Sequence, residues 1–159
     1  MTDFTMTKDA EGIATIAWDT VGKSMNVMSI QGFSDLDAHI DDALADDAVK
    51  GVIITSGKEG SFAGGMDLNA IAKMRDDAGD NPAQGLFDGT MEMHGVLRKI
   101  ELAGMDAKTN KGGKPIASVL PGTALGIGFE LPLSTHRIFA ADNAKAKIGF
   151  PEILVGIFP

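Results

Sequence analysis

Two glycine-rich turns and two glutamates are the residues of this 159-residue chain whose types and spacing could do chemistry. The turns are Gly57-Lys-Glu-Gly-Ser-Phe-Ala-Gly-Gly-Met-Asp67 and Ala124-Leu-Gly-Ile-Gly-Phe-Glu130. Each follows an apolar run and leads into a helical pattern, so each presents free backbone N–H groups at a helix start. Groups of this kind either cradle a phosphate or stabilise an oxygen that gains negative charge during a reaction. The phosphate patterns fail in detail. Gly22-Lys-Ser has Ala17 where a P-loop needs its upstream glycine, and Gly126-Ile-Gly128 has Leu131 where a dinucleotide fingerprint needs a small residue. Glu130 closes the second turn and Glu152 follows 22 positions later. Two carboxylates in one site can divide proton donation and acceptance between them. Taken alone, Glu130 equally fits a helix-start glutamate favoured by the dipole, and Glu152 a loop glutamate after proline.

Other chemistries find less support. His39, His94 and His136 are scattered, with no Asp or Glu at metal-ligand spacing, and read as packing residues, so no metal is expected. Ser61 and Ser118 lack a nucleophile-elbow pattern. There is no cysteine, hence no thiolate chemistry and no disulfide, and a reducing compartment suits the chain. A formal charge of -8 argues against a nucleic-acid partner. The acidity is concentrated in Asp35, Asp37, Asp41, Asp42, Asp46 and Asp47, which read as a solvated helix face. Lys108, Lys111 and Lys114, with Lys23, are the cations that could attract an anionic group. No signal peptide and no membrane-spanning apolar run is visible, and the default reading is a bacterial-type cytoplasmic protein.

The elements that must position the turns follow from periodicity. Ile13–Trp18 is an apolar run read as a strand, and Ser29 caps a helix over 30–47 whose apolar face is Phe33, Leu36, Ile40, Ala43 and Leu44. Gly51-Val-Ile-Ile-Thr55 is β-branched and continuously apolar, as a strand covered on both faces should be. Residues 57–67 read as a loop, followed by a helix from Asp67 to about Met74 and an exposed polar loop over 75–84. Met93, Val96, Leu97 and Ile100 predict a helix ending near Gly104, and 106–114 is a further polar tract. Strands are predicted over 115–120 and 136–140. A strand, a glycine turn and a helix therefore occur twice in succession, which implies α/β layering in one domain over 1–159.

Three segments, Ser61-Phe-Ala-Gly-Gly-Met-Asp-Leu68, Ala124-Leu-Gly-Ile-Gly-Phe-Glu130 and Ile148-Gly-Phe-Pro-Glu-Ile-Leu-Val-Gly-Ile-Phe-Pro159, together resemble the crotonase (enoyl-CoA hydratase/isomerase) family in order and spacing. The resemblance runs through nearly the whole chain. The long segment between Met74 and Pro115 and the wording Thr135-His-Arg-Ile-Phe-Ala-Ala-Asp142 resemble most the hydratase domain at the N-terminus of multifunctional fatty-acid oxidation proteins. The fold implied is a spiral of ββα units. The chain stops inside the third motif, so the resemblance implies a domain that is incomplete before its C-terminal helices.

What the resemblance implies for function is hydration of a trans-2-enoyl-CoA to the 3-hydroxyacyl-CoA in fatty-acid β-oxidation. The backbone N–H groups of Met66 and Ile127 would hold the thioester oxygen, and Met66, Asp67, Leu68, Asn69 and Ile127 would contact substrate. Glu130 and Glu152 would be the acid and base, and burial beside Phe129, Phe150 and Ile153 would raise a carboxyl pKa toward the working range. Isoleucine at 127 serves as a donor provided that its φ is negative, and Pro132 is tolerated if Glu130 lies in the first helical turn. Coenzyme A enters as part of the substrate, with no cofactor in this domain and NAD only if a dehydrogenase domain follows. A homo-oligomer or a complex with a thiolase subunit is implied for the full-length protein. Double-bond isomerisation, other thioester chemistry and a non-catalytic acyl-CoA- or partner-binding fragment stand as the alternatives.

Overall fold

A computed structural model describes residues 2–77, 79–106 and 108–156. The chain opens with an antiparallel hairpin, β1 (Phe4–Lys8) against β2 (Ile13–Trp18), with Phe4 opposite Trp18. Sequence reasoning anticipated β2 alone, since FTMTK is too polar to announce a strand. In β2 the side chains of Ala14, Ile16 and Trp18 are buried at every second position, the period a pleated strand imposes.

Ser29 caps α1 (Ile30–Ala45) by accepting from the Gly32 N–H at 2.9 Å. The buried face of α1 carries Phe33, Leu36, Ile40 and Ala43, as its periodicity predicts. Its aspartates do more than face solvent. Asp37 and Asp41 both pair with Lys99 on α3 (Pro82–Leu102), and Asp46 pairs with Lys8 on β1. Burial alone would lower the Lys99 pKa, but the two carboxylates outweigh it and hold the ammonium above its ordinary value.

After β3 (Gly51–Ser56) come β4 (Ser61–Ala63) and α2 (Leu68–Asp77), then α3, the short hairpin of β5 (Met105–Asp106) and β6 (Lys111–Gly112), and β7 (Ile116–Leu120). The remaining elements are β8 (Thr123–Leu125), α4 (Ile127–Leu133), β9 (Arg137–Ala140), β10 (Ile148–Gly149) and a 3-10 helix over Pro151–Val155. Two expectations fail here. The stretch 57–67 is not all loop, because Ser61–Ala63 is a fully buried strand. The stretch 75–84 is mostly helical: α2 continues to Asp77, and Asn81 caps α3 by accepting from Gln84, with Pro82 at the first helical position where its missing N–H costs nothing.

The strands form a five-stranded sheet in the order β1-β2-β3-β7-β9, parallel after the opening hairpin, and a parallel three-stranded sheet in the order β10-β8-β4. A unit recurs three times: one strand in the large sheet, one in the small sheet, then a helix. The units are β3–β4–α2, β7–β8–α4 and β9–β10 with the 3-10 helix. Because the second strands are neighbours in one sheet, the turns that follow them are brought to one end of it. The core beneath includes Trp18 stacked on Phe4 with ring centroids 5.2 Å apart and met edge-on by Phe62 at 6.0 Å.

Candidate active site

The first turn leaves β4 at Ala63 and is held from the side by the segment before α1. The Gly64 N–H donates to Asn26 O at 2.8 Å, Met28 N–H donates to Gly65 O at 2.9 Å, and Asp67 N–H donates to Met28 O at 2.8 Å. Met28 thus bonds the residues on either side of Met66, forming a parallel bridge with it. In a parallel ladder the intervening residue turns its own N–H to the opposite side. The Met66 N–H therefore points away from Met28 and donates to no described residue.

The second turn follows β8. Gly126 has φ 55 and ψ -130, a conformation open to glycine, and its carbonyl accepts from the N–H groups of Phe129 at 2.7 Å and Glu130 at 3.0 Å. The positive φ thus falls on Gly126, while Ile127 begins α4 with negative φ, where a β-branched side chain is unstrained. Its N–H also donates to no described residue. The two turns touch: a Cβ built on Gly65 would lie 3.5 Å from Leu125 O, and one built on Gly126 would lie 3.8 Å from Gly65 Cα. A Cβ on Gly128 would come within 2.6 Å of the Ala63 side chain, so that glycine lets α4 approach β4.

The glutamates arrive from two different units. Glu130 sits in the first turn of α4, its N–H bonded to Gly126 O. Pro132 lies near the helix end at Leu133, and Ser134 N–H still reaches Glu130 O at 3.1 Å, so the proline leaves the Glu130 turn intact. Glu152 comes from the 3-10 helix after β10. Pairing of Gly149 with Leu125 and packing of Phe150 on Phe129, centroids 5.4 Å apart, bring that helix against α4. Glu152 Oε1 occupies the space beside Gly126, and its Oε2 is buried with no hydrogen-bond partner among the described residues. Burial raises the Glu130 pKa above the ordinary carboxylate value, and the charge of Glu152 raises it further; His94 acts in the opposite direction. The predicted apolar surroundings hold in part, since Phe129 is partly buried whereas Ile153 is 65% exposed.

His94, exposed on α3, acts on Glu130 through charge alone, an influence that sequence spacing does not reveal. It lies far from Glu130 in the chain, so the fold and not the local sequence relates the two. Of the other expected substrate contacts, Asp67 Oδ1 accepts from the Asn69 N–H at 2.9 Å and starts α2, while Leu68 and Asn69 are exposed at the turn. A cavity of about 760 Å³ between α1 and α3 reaches Met66; Ile30, Phe33, Met93 and Val96 form apolar parts of its walls, and Asp37, Asp77, Asp88, Glu92 and Lys99 line it as well. Neither Glu130 nor Glu152 lines it.

Lys114 is already engaged: its Nζ donates to the carbonyls of Ala43, Leu44 and Asp46, capping α1, so it offers little to an anion. His136 is a clamp, with Nδ1 accepting from the Ile116 N–H and Nε2 near Glu101 O at 3.2 Å. No group of three metal-ligating side chains occurs among the described residues, nor is any described helix long and apolar enough to cross a membrane. The end of the third motif, Ile157 to Pro159, lies outside the described residues.

Known proteins resemble this chain in sequence and fold. The enoyl-CoA hydratase/isomerase family matches residues 8–159. The fatty acid oxidation complex subunit alpha of Idiomarina loihiensis is 31% identical over 98% of this chain, which spans 20% of that relative. An enoyl-CoA hydratase of Geobacillus kaustophilus HTA426 superposes with a TM-score of 0.80 at 25% identity, over 99% of this chain and 52% of that one. A putative enoyl-CoA hydratase/isomerase (crotonase) of Legionella pneumophila superposes with a TM-score of 0.81 at 17% identity, over 100% and 54%, and bears on the fold alone. The chain therefore spans a fifth of the curated relative and about half of the solved chains. With its repeated ββα units and three motifs, the chain belongs to the enoyl-CoA hydratase/isomerase, or crotonase, family.

Proposed function

We propose that this chain adds water across the double bond of a trans-2-enoyl-CoA, giving the 3-hydroxyacyl-CoA. The observation that carries the reading is the convergence of Glu130 and Glu152, from separate ββα units, at the Gly126 turn. The thioester oxygen lies between the Met66 and Ile127 N–H groups, which are aimed at charge that develops as the enolate forms. Glu130 orients the water and accepts its proton as the hydroxyl joins the β-carbon. Glu152 delivers a proton to the α-carbon, and exchange with solvent resets both carboxyls. Isomerisation needs only one such carboxylate, so the pair favours hydration. The acyl chain runs from Met66 into the cavity between α1 and α3.

On the same reading this is the hydratase part of a cytoplasmic β-oxidation protein. The longer protein would carry a 3-hydroxyacyl-CoA dehydrogenase using NAD, and would assemble with itself or with a thiolase subunit. Incubation with 2-butenoyl-CoA and with 3-butenoyl-CoA, following loss of the conjugated double bond and the product formed, tests the reading. Hydration of the 2-enoyl substrate supports it. Conversion of the 3-enoyl substrate alone indicates the isomerase, and binding without turnover indicates a non-catalytic module.

A further inference from the structure

We infer that Asn26 is a positioning residue, whose buried side chain fixes the direction of the Met66 N–H. The inference rests on the hydratase reading for its consequence, though not for its geometry. Asn26 is fully buried. Its Oδ1 accepts from the Thr20 N–H at 2.8 Å. Its Nδ2 lies 2.9 Å from each of three acceptors: Trp18 O at the end of β2, Ser56 Oγ at the end of β3, and Phe62 O in β4. With two N–H donors among these acceptors, one side chain thus links strands of both sheets.

The backbone of the same residue takes the link onward. Asn26 O receives the Gly64 N–H, and two residues later Met28 bonds both neighbours of Met66. Residues 26–28 form a strap along the turn, anchored at one end by the Asn26 amide and continuing into α1 through the Ser29 cap. The strap lies in contact with the turn: a Cβ built on Gly64 would sit 3.7 Å from Asn26 O and would displace the flexible end of Met25. A strap that slides or rotates carries the Met66 peptide with it, and an oxyanion donor is effective only when aimed at the place where charge develops. None of these contacts is made by the Met66 side chain. The donor's direction is therefore set by a residue that substrate does not touch.

The test is Asn26→Ser, which keeps a small polar group and loses the three-way anchor, beside Ile40→Val as a remote core variant of lowered stability. Amide hydrogen exchange is followed at Gly64 and Asp67, with the amides of β2 and β3 reporting global opening. Asn26→Ser is expected to speed exchange at Gly64 and Asp67 about 10-fold more than at the strand amides, whereas Ile40→Val moves all of them together. With 2-butenoyl-CoA it is expected to lower kcat about 10- to 100-fold with KM within about 2-fold. Exchange at Gly64 and Asp67 moving only in step with the strands overturns the inference, as does an unchanged kcat. A wild-type chain that does not hydrate 2-butenoyl-CoA overturns the hydratase reading, while the exchange measurement still decides the role of Asn26.

Discussion

The Glu152 carboxylate fills the space that a side chain on Gly126 would need, so that Oε1 lies closer to that position than any carbon could tolerate. Gly126 is thus required twice, for its positive φ and for room beside the carboxylate. The two motifs that carry the glutamates are fitted to each other at this point. Movement of one disturbs the other.

Gly126→Ala is accordingly expected to harm activity more than folding. The obstructing atom is the end of a flexible side chain, which can swing away, while the backbone strain costs about 1–3 kcal/mol. Thermal unfolding should show a moderate loss of Tm. Hydration of 2-butenoyl-CoA should fall by about 100-fold or more as Glu152 is displaced. An unchanged kcat would show that the Glu152 position is immaterial.

Glu130→Gln should stabilise the fold at neutral pH. The folded-state pKa of Glu130 is raised, so the native state holds a proton that the unfolded chain has released in the window above the ordinary carboxylate value. Stability therefore falls as pH rises through that window, and the ionised group is a burden above it. Urea unfolding at pH 7.5 should favour the glutamine variant, with the advantage vanishing once the pH is below the ordinary carboxylate range. An equal difference at both pH values would argue against the raised pKa.

The elements themselves were largely legible. Strand β2 and the cap and apolar face of α1 follow from local patterns of residue type, and β3, β7 and β9 fall within a residue of their predicted bounds. Strand β4 was not, because three residues, Ser61 to Ala63, carry too little period to separate strand from loop; their pairing with β8 decides it. The polar run 75–84 reads as a loop by composition, yet the Asn81 cap and Pro82 restart a helix there. Glu130 and Glu152 are visible in their motifs, whereas His94 and Asn26 are related to the site by the fold, which spacing does not encode.

Lys114 gives a contrast with the active-site residues. Its three bonds to carbonyls at the end of α1 make Lys114→Met a stability variant, expected to cost about 1–2 kcal/mol in unfolding experiments. Titration calorimetry with butanoyl-CoA should give a Kd within about 2-fold of wild type. A large loss of affinity with unchanged Tm would instead make Lys114 a phosphate contact.

The most direct test of the two-carboxylate account is the hydration rate of 2-butenoyl-CoA in Glu130→Gln, Glu152→Gln and the double variant. The account predicts that each single change lowers kcat by about 100-fold or more, that KM changes little, and that the double variant is scarcely worse than the poorer single one. Hydration that survives either single change undiminished would contradict it.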